Sequence, residues 1–221
     1  MYVCNPASPP DFLARVRGVV FDCDGVLVDS HDANRMYYNL IREGIGMLPI
    51  TPEEEDYVHM HSVNECLARI IPPERMDEAQ EARRNLDYAD IYPYIYIEDG
   101  LTDLLGALRR RGVRLGVHTN RTNTTDALLE HLEIRDYFDP VVSAGSLKRP
   151  KPDPEGVHMI LAAWGLPPDA VAYIGDSALD ERSARAAGVS FWAYKNPALA
   201  ASMYIPDFPT LLACLDGLPT G

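Results

Sequence analysis

The chain has 221 residues, 47% of them apolar, which is ample for a packed core and incompatible with disorder. Its 20 Lys and Arg against 33 Asp and Glu leave a formal net charge of -13. Such a surface repels phosphate backbones and excludes nucleic-acid binding as a default; a phosphorylated metabolite is admitted only through a local electropositive device, a divalent cation above all.

The first 18 residues lack the basic stretch and long apolar run of a secretory signal, and Pro9 and Pro10 interrupt them. No apolar run approaches the ~20 residues a membrane span requires. Cys4, Cys23, Cys66 and Cys214 are scattered without metal-ligand spacing and read as free thiols. A soluble cytoplasmic protein with no membrane partner is expected.

In chain order, the first buried strand is "GVVFD" (18–22). Residues 30–98 then carry helical patterns, "HDANRMYYNLIREGI", "TPEEEDYVHMHSVNECLARII" and "PERMDEAQEARRNLDYADIY", but no convincing strand. A parallel crossover does not need ~70 residues, so this region reads as a helical insertion. The tyrosine-rich run "YADIYPYIYIEDG" closes it as a hinge or docking surface. Beyond it, "VRLGVHT" (113–119), "DPVVSAG" (139–145), "AVAYIGD" (170–176) and "VSFWAY" (189–194) read as strands. Helical stretches separate them, "GLTDLLGALRRRG" preceding the first, then "TTDALLEHLEI", "PEGVHMILAAWGL" and "DERSARAAG". The alternation implies βαβ units and a parallel sheet covered on both faces. The expected organisation is α/β: a catalytic core of residues 1–29 and 99–221, and a helical cap of residues 30–98.

Ligands of an open parallel sheet bind outside the carboxyl ends of its strands. There the sequence places Asp22 and Asp24, then Thr119 and Asn120, then Lys148 and Lys151, then Asp176 and Asp180. Clustered carboxylates are tolerable around a hard cation, and Mg²⁺ prefers oxygen ligands. A cation and a lysine would let an aspartate attack phosphorus. The second aspartate would protonate the leaving oxygen, which requires a raised pKa. Each motif has an ordinary reading too. "DxDG" opens EF-hand loops, but Leu27 and Ala33 stand where that loop needs glycine and glutamate. Thr119-Asn120 is a plausible helix N-cap, Lys151 a surface lysine, and "GDSALD" a turn. Their order and spacing together point to one site.

These residues resemble the haloacid dehalogenase superfamily: "FDCDGVLVDS", "HTN", "KPDPEG" and "YIGDSALDERSARAAG" match its four motifs from about Val16 to Tyr194. The match is close to the phosphoglycolate phosphatase and β-phosphoglucomutase-like branch. The resemblance implies a Rossmann-like parallel core with an inserted α-helical cap, Mg²⁺ as cofactor and a small phosphorylated metabolite as partner. It makes Asp22 the nucleophile and Asp24 the general acid and base, with the Asp24 backbone carbonyl on the metal. Thr119 and the Asn120 backbone would bind the phosphoryl group. Lys151, ahead of Lys148, would neutralise it, and Asp176 would be the principal metal ligand. Asp180 would support metal, water or lysine, and Gly25 would form the turn after the nucleophile.

Three departures stand out. Cys23 replaces a bulkier aliphatic and reads as a small core residue. His118 replaces an apolar residue before Thr119, and strand alternation turns it away from Thr119. The tail "FWAYKNPALAASMYIPDFPTLLACL" lacks the usual glycine after the fifth strand. The expected activity is Mg²⁺-dependent phosphatase; a phosphosugar mutase or a non-catalytic phosphate-binding module uses the same core. A dehalogenase needs neither Asp24 nor the last acid pair. Arg35, Arg69, Arg83 and Arg84 are the cap's candidates for a second anionic group, though most read as solvated. "EGIGMLPITP" is the expected loop between cap helices.

Overall fold

The computed structural model describes residues 2–7, 10–60 and 63–218. The chain divides into two compact units, Met1–Val28 with Ile97–Gly221, and Asp29–Tyr96. Ile97 and Glu98 therefore fall with the α/β unit rather than with the helical one.

The α/β unit is built on seven parallel strands. They are β1 (Tyr2–Val3), β2 (Gly18–Phe21), β5 (Arg114–Thr119), β6 (Val141–Ser143), β7 (Val171–Gly175), β8 (Ser190–Tyr194) and β9 (Met203–Ile205). Their order is β1-β9-β8-β7-β2-β5-β6. Two short segments, β3 (Val28–Asp29) and β4 (Tyr96–Ile97), pair where the chain leaves this unit and returns to it. The helices are α5 (Leu101–Arg110), α6 (Thr125–His131), α7 (Glu155–Trp164), α8 (Ala178–Ala186) and α9 (Phe208–Asp216).

The β2 strand is the hub. All four of its residues are buried, as a strand covered on both faces requires, which is why it reads as an unbroken apolar run. It pairs with β5 on one side and β7 on the other, Phe21 standing level with Val117 and Ile174. The chain thus reverses its direction of travel across the sheet at β2, and the crevice of such a fold opens at that switch point. Phe21 packs edge-on against Phe138 at 5.9 Å and Phe208 at 6.4 Å. On the other face Val20 joins Val157, Ile160, Trp164, Tyr173 and Ala184 in one core cluster. Fully burying such a side chain stabilises the fold by about 1.5–3 kcal/mol.

The helical unit holds α1 (His31–Gly44), α2 (Pro52–Met60), α3 (Val63–Ile70) and α4 (Met76–Asn85). Tyr38, Ile41, Val58, Cys66, Leu67 and Ala79 make its own core. Residues 45–51, within "EGIGMLPITP", join α1 to α2 as expected.

The strands anticipated from the sequence are present, the third shortened to three residues. Other elements escaped the pattern. The edge strand β1 and its inner neighbour β9 are too short to show a period, as are Val28–Asp29 and Tyr96–Ile97, which form β3 and β4, the latter in a region read as strandless; the helix α9 in the tail was not anticipated either. The helical stretch over 51–71 holds α2 and α3; His61 and Ser62 lie outside the described residues, as does Pro9. All four cysteines are free and buried. No helix among the described residues is long and apolar enough to cross a membrane.

Tight packing beneath the hub is testable at Gly18. A Cβ there would lie 2.5 Å from the Trp164 ring, which also crowds Gly116 at 2.9 Å. Gly18→Ala should destabilise the protein by about 1–3 kcal/mol in urea unfolding, with an unchanged m-value.

Candidate active site

Asp22 follows β2, its amide still donating to the Ile174 carbonyl at 3.0 Å. The chain then turns sharply: Leu27 and Val28 donate to the Cys23 carbonyl at 2.8 and 3.1 Å. Gly25 makes the turn possible, with φ +75° and a missing Cβ that would fall 2.2 Å from Asp176 Oδ2. No other residue type fits both the conformation and the approach.

The Asp22 carboxylate is buried. Its Oδ1 accepts from the Cys23 amide at 2.6 Å and from Lys151 Nζ at 2.7 Å, bonds that leave Oδ2 unengaged. The same ammonium donates to Asp180 Oδ1, also at 2.7 Å. Asp180 is fully buried at the start of α8, which it caps reciprocally with Ser177: Ser177 N and Oγ donate to its Oδ2 at 3.1 and 2.5 Å. Tyr173 Oη lies 3.1 Å from both Asp180 Oδ1 and the His118 carbonyl. Gly175 makes room, since a Cβ there would meet that of Asp180 at 2.4 Å.

Lys151 is positioned through its backbone. The Asn120 side chain receives the Lys151 amide on Oδ1 at 3.0 Å and donates Nδ2 to the Lys151 carbonyl at 3.2 Å. The expected contribution of Asn120 was its backbone; its side chain does this anchoring. Lys148 is exposed, and its amide bonds Glu155 instead. Thr119 is buried at the end of β5 with its Oγ1 accepting from the Arg121 amide at 3.1 Å. Asp176 follows β7; the Asn196 side chain donates to its carbonyl at 2.8 Å.

Arg121 forks onto the Asp24 carboxylate, Nη2 to Oδ1 at 2.6 Å and Nε to Oδ2 at 2.8 Å, a two-pronged charge-assisted contact that fixes its orientation. Arg121 is the functional candidate the sequence reading missed, although it sits directly after Thr119-Asn120. Tyr173 and Ser177 were missed too; Tyr173 carries no signal in a strand of buried apolar residues.

The electrostatics are uneven. Burial raises the pKa of Asp22 well above the usual carboxylate range, Lys151 opposing and Asp180 reinforcing the shift. Burial and the Asp180 charge push Asp176 up to about 6. Burial works the same way on Asp180, but Lys151, Ser177 and Tyr173 outweigh it and hold that carboxyl low. Burial likewise opposes the Lys151 charge, and the two carboxylates more than offset it, so the ammonium persists.

Oxygens of Asp22, Asp176 and Asp180 lie within 4.8 Å of one another. Three carboxylates thus face one ammonium, and two of the three are pushed toward neutrality. A hard divalent cation relieves that deficit, and the all-oxygen donor set suits Mg²⁺.

His118 is fully buried, its Nε2 walled in by Gly156, where a Cβ would approach to 2.3 Å. Burial, then the Lys151 charge, lower its pKa to about 3, so it is neutral. Cys23 is likewise buried and its thiol is pushed up by burial and Asp24, as befits a core residue. Lys195, where glycine was missing, takes φ +53° and donates to Glu98 Oε2 at 2.6 Å. Of the cap arginines, Arg35 pairs with Asp32 and Glu55, and Arg69 lies over the Tyr57 ring.

The fold and this edge of the sheet define a class, and comparison with known proteins agrees. Residues 19–194 match the model of the haloacid dehalogenase-like hydrolases. A phosphoglycolate phosphatase of Chromobacterium violaceum is 32% identical over 191 residues, covering 80% of this chain and 83% of the relative. Phosphoglycolate phosphatase 1 of Pseudomonas aeruginosa is 30% identical over 193 residues, covering 83% and 71%. The crystal structure of a subfamily IA hydrolase of this superfamily from Geobacter sulfurreducens superposes with a TM-score of 0.84 at 33% identity, covering 91% of this chain and 97% of that one. The chain belongs to the haloacid dehalogenase-like hydrolase family, and it is an enzyme, a phosphoric monoester hydrolase.

The buried neutral His118 has a pH signature. Its folded pKa lies below the ~6.5 of an unfolded histidine, so the unfolded chain binds the extra proton between those values. Stability should be unaffected by this group above pH 6.5. Below that it should fall by about 1.4 kcal/mol per pH unit toward pH 3. Urea unfolding from pH 7 to 4 should show His118→Gln losing less stability on acidification than the wild type.

Proposed function

We propose that the enzyme hydrolyses the phosphate monoester of a small metabolite through a phosphoaspartyl intermediate on Asp22, with phosphoglycolate the first candidate substrate. The observation that carries this reading is the buried Asp22 carboxylate, clamped on one oxygen by Lys151 and the Cys23 amide with the other unengaged. The names of the relatives favour phosphoglycolate, and hydrolysis over mutase chemistry.

In this reading Asp22 Oδ2 attacks phosphorus, a P–O(Asp22) bond forms and the ester P–O bond breaks. Asp24 gives the leaving oxygen its proton, then takes one from a water that attacks the phosphoaspartate, releasing inorganic phosphate and restoring Asp22. Thr119 and Lys151 hold the transferring group, and Asn120 and Asp180 fix Lys151. Asp22, Asp176 and the Asp24 carbonyl, with Asp180 alongside, would hold Mg²⁺, which would supply the positive charge that lets a carboxylate meet a phosphate dianion. Arg121 sets the orientation of the Asp24 carboxylate and yields it when Asp24 carries the proton. A cytoplasmic location, where small phosphorylated metabolites are made, fits this role.

The test is phosphate release from a panel of sugar phosphates, nucleotides and 2-phosphoglycolate with Mg²⁺. Turnover should be highest on 2-phosphoglycolate, and chelation should abolish it. Asp22→Asn should lower kcat by about 10³-fold or more. Full activity of that variant on a generic aryl phosphate would remove the proposed nucleophile, and interconversion of hexose phosphates without phosphate release would point to a mutase.

Arg121 gives a finer prediction. Arg121→Ala should lower kcat about 10- to 100-fold with a smaller change in KM, because Asp24 loses its orientation. Arg121→Lys should recover part of the loss, a single ammonium replacing the two-pronged contact.

A further inference from the structure

We propose that Cys4 and Cys214 are a site of reversible covalent modification, an intramolecular disulfide that ties the two ends of the α/β unit together. The inference is independent of the proposed reaction. The two residues are 210 positions apart in sequence, yet their Sγ atoms stand 2.7 Å apart in a buried setting, closer than unbonded sulfurs ordinarily pack. Both elements aim them at each other. The Cys4 amide donates to the Tyr204 carbonyl at 2.9 Å, extending the β1–β9 pairing, which turns its side chain onto α9. There Cys4 Sγ also lies 3.8 Å from the Thr210 carbonyl, one helical turn before Cys214. Cys23 follows β2 and Cys66 lies on α3, so neither competes for this pairing.

The closed structure protects the pair. Burial, the neighbouring Cys214 and Asp207 all push the Cys4 thiol above its ordinary range, so little reactive thiolate exists while the site is shut. It opens through β1. That strand is two residues long, lies at the sheet's edge and exposes Tyr2 and Val3 by 47% and 56%. So short and exposed an edge strand opens at low cost. Fraying bares Cys4 to a peroxide. Its thiolate attacks one peroxide oxygen, the O–O bond breaks, and a sulfenic acid and hydroxide form. When β1 re-pairs, the Cys214 sulfur attacks the sulfenic sulfur and expels the hydroxyl, which with the thiol's proton leaves as water. Two thiols and one hydrogen peroxide become one disulfide and two waters. A dithiol reductant reverses the step. The product closes a loop spanning nearly the whole chain, so it restricts the unfolded state strongly.

The experiment compares full-length protein treated with dithiothreitol or with hydrogen peroxide. The oxidised sample should lose the mass of two hydrogens. A non-reducing tryptic map should join the peptide ending at Arg15 to the one beginning at Asn196, which hold Cys4 and Cys214. Its Tm should rise by about 5–15 °C and return after reduction. Cys4→Ser and Cys214→Ala should each abolish the linked peptide and the Tm response. The wild-type peptide map decides the matter even if a variant folds poorly. No mass change, a linkage through Cys23 or Cys66, or cross-linked dimers in place of the internal bond would each overturn the proposal. Because the readout is mass and melting, a phosphatase reading that failed would leave this result standing.

Discussion

One ammonium group governs the carboxyl edge of this sheet. Lys151 Nζ sits 2.7 Å from both Asp22 and Asp180, and all three are buried. Removing such ions from water costs several kcal/mol each, and the cost is recovered only where geometry is good and the remaining polar atoms are satisfied. The surrounding structure meets that condition. Ser177 and Tyr173 occupy Asp180, the Cys23 amide occupies Asp22, and the Asn120 side chain fixes the lysine's backbone from both sides. A lysine is a flexible point charge, and here its precision comes from how its main chain is held.

That arrangement also explains which glycines are required. Gly25, Gly156 and Gly175 each stand where a methyl group would collide with Asp176, His118 or Asp180. The main chain comes this close because the acids must converge on one point, and convergence leaves them short of positive charge. Burial pushes Asp22 and Asp176 toward neutrality while Lys151 satisfies Asp180. Such unequal ionisation of neighbouring acids clusters at functional sites.

Much of this was legible in the sequence, for a definite reason. Parallel strands buried on both faces are continuous apolar runs, and a polar residue that ends such a run must lie at the sheet's edge. Asp22, Thr119 and Asp176 announce themselves in that way. Lys151 needed the resemblance, because "KPDPEG" alone describes a proline-marked turn on the surface, and its burial depends on a contact with Asn120 some 31 positions away. Arg121 was invisible because its partner Asp24 lies 97 positions earlier. The short strands β1 and β9 were missed because two or three residues carry no periodicity, and only their pairing defines them. Of the cap arginines, most of which read as solvated, Arg35 and Arg69 are engaged by neighbours within their own unit.

The absent glycine after β8 shows how a departure from a family pattern can be absorbed. Lys195 adopts the left-handed conformation that glycine would take freely, at a cost of about 1–2 kcal/mol. Its contact with Glu98 recovers only part of this, since a half-exposed ion pair contributes under about 1 kcal/mol. The rest is offset by what the bend delivers. Glu98 also accepts from Tyr194 at 3.0 Å, and the Tyr194 ring stacks on Phe208 at 4.4 Å, locking the end of β8 onto α9. The next residue, Asn196, is thereby placed to hold the Asp176 carbonyl. A lysine in a glycine's conformation is therefore tolerated because the bend it makes joins the far edge of the site to the core, through Glu98, Tyr194 and Asn196.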